Sequence, residues 1–391
     1  MSGISDGMRF ALDYPLLTSQ PIRRLECFRG WYLDEAGMPA NEFEVSLDGK
    51  PLYLLPKEFR YDLPAVFPQF PRAAEAGFSG DVVIPDIYTE ENTVTLELAA
   101  LLRNGKREVL VQHRFSIGES AQKIFTRPRS YSLADLIEDP ETGESGAALA
   151  SRMQYPLDRR RRIVAGVPHF HDSDILPIIR LTWDGETHPY GSRALQLIDS
   201  LPVGAIFLDL GSGIKSPAEI RENGVCLDTV HFPTVDIVNS CGNLPFKSHS
   251  FDLVISQAVF EHLPDPFHMA AEILRILKPN GLVLIDTAFM QPQHADPNHY
   301  FNMTIDGLKQ VLKHFEIVDV GIQPYQLPSY GLRMQLETIL PHLADGVWKA
   351  RFLSLLADLK ASGNDLDRDL GPIGQQIIAA GVFAIARRPI S

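Results

Sequence analysis

The run Ile206-Phe-Leu-Asp-Leu-Gly-Ser-Gly213 sets an apolar stretch directly before Gly211 and Gly213. It predicts a buried strand ending in a tight turn, where backbone N–H groups can approach a ligand at the strand's carboxyl end. Asp228 stands about twenty residues beyond this turn and closes a second apolar run, Val225-Cys-Leu-Asp228. A carboxylate at that place can accept from both hydroxyls of a ribose, so the pair predicts a nucleotide-like cofactor. Asp209 can serve the cofactor or satisfy the turn's own amides with the same geometry. The glycine pattern stops short of the dinucleotide fingerprint, because Ser216 holds the third glycine's place in G-x-G-x-x-G.

A second group of residues could move a proton. Glu261 and His262 follow a third apolar run, Phe251-Asp-Leu-Val-Ile-Ser256, within Gln257-Ala-Val-Phe-Glu-His-Leu263. Further on, Met290-Gln-Pro-Gln-His-Ala-Asp-Pro-Asn-His-Tyr-Phe-Asn-Met303 gathers His294 and His299 in one loop. A neutral imidazole near pH 7 suits a general base for a hydroxyl. The alternatives are a loop folded on its own polar groups and a Glu-His pair that caps the Leu-Pro turn. No metal is assigned, since His294 and His299 lack a defined third ligand. Cys27, Cys226 and Cys241 show no metal spacing and are read as reduced thiols.

These residues need elements to hold them. Residues 266–277 carry Met269, Ile273, Leu274 and Leu277 at helical spacing, and Lys278-Pro-Asn-Gly281 stops that helix. Residues 281–289 form the next strand, 304–314 a helix, and 315–320 another strand. Residues 191–201 supply the helix that covers the first strand. Ser216 is placed to cap a short helix over 216–223, with Pro217 at its first position and Gly224 at its end.

The succession LDLGSG, LPF, FDLVIS, EHL, LKPNG and LVLIDTAF resembles class I S-adenosylmethionine-dependent methyltransferases, of the broad type 11 kind, over about residues 195–325 with a last strand near 388. The resemblance implies a Rossmann-like α/β fold with a seven-stranded sheet, its final strand inserted antiparallel at 380–386. It implies S-adenosyl-L-methionine as cofactor, with Asp209, Gly211, Ser212 and Gly213 at the methionine side and Asp228 at the ribose. Ser240, Cys241 and Asn243 fall at the adenine side, and Gln257 lies after the fourth strand. His294, His299, Glu261 and His262 are then the catalytic candidates. The sequence departs from the family at Lys215, which holds the usual third glycine, and at Ser240, where an acid is usual. Those departures keep open a second reading, a binding or scaffold protein that has lost turnover.

Ahead of this region, residues 1–118 alternate short β-like runs with Gly and Pro turns, which predicts an antiparallel, immunoglobulin-like sandwich. The stretch around Arg29-Gly-Trp-Tyr32 is similar to small β-domains of bacterial glycan-related enzymes, where Trp31 and Tyr32 would stack on sugar or fill the core. Residues 119–190 are read as connecting material, with 139–146 the most linker-like part. The methyltransferase domain is placed at 191–391, with a helical insertion at about 328–372 that could cap the acceptor, pack plainly, or form a homodimer face. The net charge of −13 argues against a nucleic-acid substrate, and Arg159-Arg-Arg-Arg162 beside Arg152 is read as solvated. No run is long enough to span a bilayer and no leader pattern opens the chain, so a cytoplasmic protein is expected. Methylation of oxygen on a small molecule or carbohydrate is the leading expectation.

Overall fold

The computed structural model describes residues 2–5, 8–14, 25–55, 57–60, 62–83, 93–116, 129–148, 161–164, 167–170, 189–216, 218–239, 242–294 and 298–390. Among the described residues of the N-terminal part, every strand pairing is antiparallel. Strands β1 (Ser2–Ser5), β2 (Met8–Tyr14), β3 (Leu25–Leu33), β7 (Gly77–Val83) and β6 (Lys57–Glu58) make a five-stranded sheet in that order. A four-stranded sheet runs β5 (Lys50–Leu55), β4 (Glu42–Leu47), β8 (Thr93–Leu101), β9 (Arg107–Ser116). The sheets meet through Phe43 and Phe78, whose ring centroids are 4.4 Å apart. Tyr32 is fully buried and its hydroxyl donates to Glu108 at 2.6 Å, while Trp31 leans on Phe67. Both aromatic rings are therefore engaged by protein, as the core reading expects.

The C-terminal sheet has nine strands rather than seven. Its order is β10 (Arg161–Val164), β11 (Val167–Phe170), β14 (Ile237–Asn239), β13 (Gly224–Asp228), β12 (Phe207–Leu210), β15 (Phe251–Gln257), β16 (Leu277–Ala288), β18 (Gly381–Arg387) and β17 (Glu316–Gly321). The extra pair is a hairpin, β10–β11, that docks parallel on β14 through His169 opposite Val238. An exposed sheet edge offers unpaired N–H and C=O groups, and a hairpin covers it. Strand β18 runs antiparallel between β16 and β17, as expected.

Strand β12 is buried along its whole length, which suits a strand covered on both faces. Its side chains alternate: Phe207 packs with Tyr190, Ala194 and Ile198 on one face, Leu208 and Leu210 with Phe246, Met269 and Ile273 on the other. Helix α3 (Ser192–Asp199) covers the first face and α4 (Pro266–Ile276) the second. Two one-turn helices, α1 (Leu63–Val66) and α2 (Leu133–Leu136), come earlier in the chain. Asp265 caps α4 by accepting from the His268 N–H, and Thr304 caps α5 (Ile305–Val311) the same way.

Two sequence expectations fail here. Residues 214–223 form turns and no helix among those described; Glu219 folds back to accept from both the Ser216 N–H and its hydroxyl, which closes the chain into a turn. Residues 129–148 are packed rather than linker-like. Leu136 and Ile137 are buried in the main core, Ile137 bridges Phe246, and Asp139 holds the turn at Glu141 and Thr142. The insertion before β18 comprises α6 (Pro328–Ile339) and α7 (Val347–Ile377), the latter broken at Ser362 and at Gly371. Leu336, Leu340, Leu356 and Leu359 give it a small core of its own. Among the described residues no helix is long and apolar enough to cross a membrane.

Candidate functional site

The carboxyl ends of β12, β13, β15 and β16 lie side by side in parallel register, and the polar residues expected to work stand there. Gly211 and Gly213 both take positive φ, +72° and +57°. A Cβ on Gly211 would sit 2.2 Å from a Val259 methyl, so only glycine fits this turn. The turn's amides are spent inside the protein. Gly211 and Ser212 donate to the Leu227 carbonyl, and Gly213 donates to Asp228 at 2.8 Å. The sequence expectation that these N–H groups face a ligand is thus corrected; they stitch β12 to β13. Ser212 is fully buried.

Asp228 accepts from Gly213 through one oxygen and from Val230 through the other, at 2.8 and 2.9 Å. Burial raises its carboxyl above the usual range, and these amide donors oppose the shift. A carboxylate offers about four acceptor positions, and the amides of Val230, Gly213 and Thr229 leave room for a ribose hydroxyl beside them. Those residues fit S-adenosylmethionine on its ribose side.

The methionine side is built differently from the expectation. Asp209 accepts from the Tyr190 hydroxyl at 2.8 Å, and the Lys215 ammonium lies 3.3 Å from the same oxygen. Lys215 is buried and sits over the Tyr190 ring, 4.3 Å from its centroid. The ammonium and the Asp209 carboxylate therefore offset each other's charge inside the protein. On the adenine side Ser240 and Cys241 lie outside the described residues. Asn243 is described, and its side-chain oxygen is held by His268 at 2.8 Å.

Gln257 belongs to a network the sequence did not reveal. Asp286, buried in β16, accepts from Gln257 at 3.1 Å, from Gln323 at 2.9 Å, and from the Tyr325 hydroxyl. Burial raises the Asp286 carboxyl, and burial first, then the Asp286 carboxylate, raises the Tyr325 phenol. An acid inside the apolar run of β16 was the available signal; Tyr325 and Gln323 carried none. Tyr325→Phe is expected to destabilise the fold by about 2 kcal/mol, the size of one hydrogen bond to a charged group. Denaturant melts would measure it, and an unchanged midpoint would place the stabilisation elsewhere in the network.

The four catalytic candidates come together. Ala258, at φ +54°, turns the chain sharply after β15 into a 3₁₀ turn, Phe260–His262. The loop returns onto that turn, with the Tyr300 and Phe301 N–H groups donating to the Glu261 carbonyl. Glu261 is 2% exposed, and Thr287 donates to its carboxylate at 3.0 Å. His262, His294 and His299 face one another with ring centroids 4.4 to 6.0 Å apart. His299 Nε2 donates toward Phe301 and Asn302, leaving Nδ1 to accept from the His294 side. Both of its nitrogens are engaged, so His299 positions His294 rather than facing an acceptor. Burial, then the neighbouring His299 and His262, holds His294 below the ordinary imidazole value, which keeps it neutral at pH 7.

Comparison with known proteins agrees with this geometry. A family model described as a methyltransferase domain matches residues 216–285. An uncharacterised methyltransferase of Mycobacterium leprae is 32% identical over 133 residues, 29% of this chain and 49% of that protein. One from Mycobacterium tuberculosis is 35% identical over 133 residues, 29% of this chain and 52% of that protein. A probable S-adenosylmethionine-dependent methyltransferase of Mycolicibacterium smegmatis is 28% identical over 176 residues, 40% of this chain and 66% of that protein. The chain spans about half the length of the first two. Over this segment the chain is similar to methyltransferase domains, and one of the relatives it matches is described as S-adenosylmethionine-dependent.

Proposed function

We propose that this chain transfers a methyl group from S-adenosylmethionine to a hydroxyl of a small molecule or a glycan. The observation that carries the reading is the placement of Asp228 and the Glu261, His262, His294 cluster at one edge of the same parallel sheet. The cofactor supplies an electrophilic methyl on a sulfonium. When bound, that group would give up its methyl and leave as a neutral thioether, and His294 would take up the proton of the acceptor hydroxyl. The protein's share is alignment and exclusion of water, with no covalent enzyme intermediate required. His294 is neutral and held by His299, so it can accept that proton.

The proposed organisation places the methyltransferase domain at residues 191–391, preceded by a segment over 119–190 whose part 129–148 packs on the domain's core. An immunoglobulin-like unit over 1–118 would present a long acceptor such as a glycan. A second reading, a binding protein without turnover, draws on the Lys215 ammonium beside Asp209. Calorimetric titration of S-adenosylmethionine separates the two. Saturable binding is expected, weakened about 30-fold in Asp228→Ala, the equivalent of about 2 kcal/mol in lost hydrogen bonds to a charged group. Radiolabelled methyl transfer into a panel of hydroxyl acceptors then tests turnover. Binding without transfer to any acceptor would favour the second reading, and no binding would overturn the first.

A further inference from the structure

We propose that Glu261, His262 and His294 form a binding site for a divalent transition-metal cation of the zinc or manganese kind. One donor atom from each of the three lies within 4.8 Å of the others. Ligands bonded at about 2.1 Å in a tetrahedral site stand roughly 3.4 Å apart, so small side-chain rotations close the cluster on an ion. A donor set of two imidazoles and one carboxylate selects borderline cations over magnesium or calcium, which prefer oxygen throughout.

The charge balance points the same way. Glu261 is 2% exposed, and its carboxylate receives one side-chain hydrogen bond, from Thr287. Among the described residues no lysine or arginine pairs with it. A buried carboxylate with one neutral donor is costly unless a cation meets it. Like-minded imidazoles crowd the same space, with His262 and His294 centroids 5.2 Å apart, and each contributes a lone pair that wants an electrophile.

The hydrogen bonds already set both rings for ligation. His262 Nδ1 donates to the Asn298 carbonyl at 2.6 Å, and His294 Nδ1 to the Pro292 carbonyl at 3.1 Å. Metal-binding histidines are commonly oriented in this way, by a backbone carbonyl on the opposite nitrogen. It leaves Nε2 of each ring as the nitrogen with a free lone pair. His299 Nδ1 accepts from the His294 backbone N–H at 3.3 Å and adds a second support. Both ligand histidines are half-buried, so an ion can enter from solvent.

Three protein ligands leave coordination positions open, the pattern of catalytic rather than structural sites. A cation there would lower the pKa of an acceptor hydroxyl and hold its oxygen toward the cofactor edge, replacing His294 as the agent that activates it. This use rests on the methyl-transfer reading above; the existence of the site does not.

The test is direct metal binding to the full chain after chelator treatment and removal of the chelator. Wild type is expected to bind one equivalent of Zn2+ by calorimetry, and Co2+ to give visible absorption bands of a nitrogen-ligated ion. His262→Ala and His294→Ala should each weaken binding at least tenfold, and Glu261→Gln, which keeps the Thr287 bond's geometry, should do the same. Circular dichroism of each variant checks that the loss is local. Wild type that binds no stoichiometric metal, or variants that bind as wild type does, would overturn the site. S-adenosylmethionine titration of the same samples distinguishes the two readings: metal binding without cofactor binding leaves the site standing and sinks the methyl-transfer reading.

Discussion

Gly211→Ala is expected to lose about 3 kcal/mol of folding stability and with it measurable cofactor affinity. Two effects add. At φ +72° an alanine carries left-handed backbone strain, of order 1–2 kcal/mol. Its methyl would also stand 2.2 Å from Val259 Cγ2, inside any real contact distance, and relieving such overpacking costs about 1–3 kcal/mol. The amides of this turn tie β12 to the Leu227 carbonyl and to Asp228, so moving the turn moves the carboxylate proposed to meet the ribose. Urea melts and S-adenosylmethionine calorimetry read both consequences. Val259→Ala in the same chain should recover the overpacking part and leave the backbone part. A single variant within 0.5 kcal/mol of wild type would show that the turn is not held as described.

The second large effect is on pH. His231 is almost completely buried, its Nδ1 lies 3.0 Å from His169 Nε2, and burial lowers it from 6.5 to about 4. One ring must donate and the other accept, so a proton on the accepting nitrogen leaves two donors facing each other. The unfolded chain takes up this proton near pH 6.5 and the native protein near 4. Stability from the neutral pair is therefore complete above pH 6.5 and falls as pH drops through 4. The whole loss is about 3 kcal/mol, at 1.36 kcal/mol for each unit of pKa difference. Since His169 sits on β11 opposite Val238 of β14, the first place to loosen is the added edge hairpin. Stability measured from pH 7.5 to 4 in wild type and His231→Gln should diverge, the variant losing less. Parallel curves would assign the acid sensitivity to other groups.

The comparison of β12 with the Lys215 region explains what was legible. Local patterns named β12, β13, β15, β16, α4 and the antiparallel last strand, because burial on both faces demands continuous apolar runs and helices demand a 3.6-residue period. Gly211 and Asp228 were likewise visible, since a left-handed turn and a ribose each require a particular residue type. The short helix after Gly213 failed because Ser216 satisfied its bonds through Glu219 in a turn, a choice that local propensity leaves open.

By itself, then, the sequence determined the elements, their chirality-restricted order and the class of cofactor, all set by short-range pattern and residue chemistry. Only the tertiary structure decided which polar groups meet. It brought Lys215 to Asp209, Tyr325 to Asp286, His169 to His231, and Glu261 to His294 across 33 positions of chain. Those pairings depend on loop paths and on the packing of separate elements at one sheet edge. No period or motif records them, because a buried charge finds its partner in space rather than along the chain.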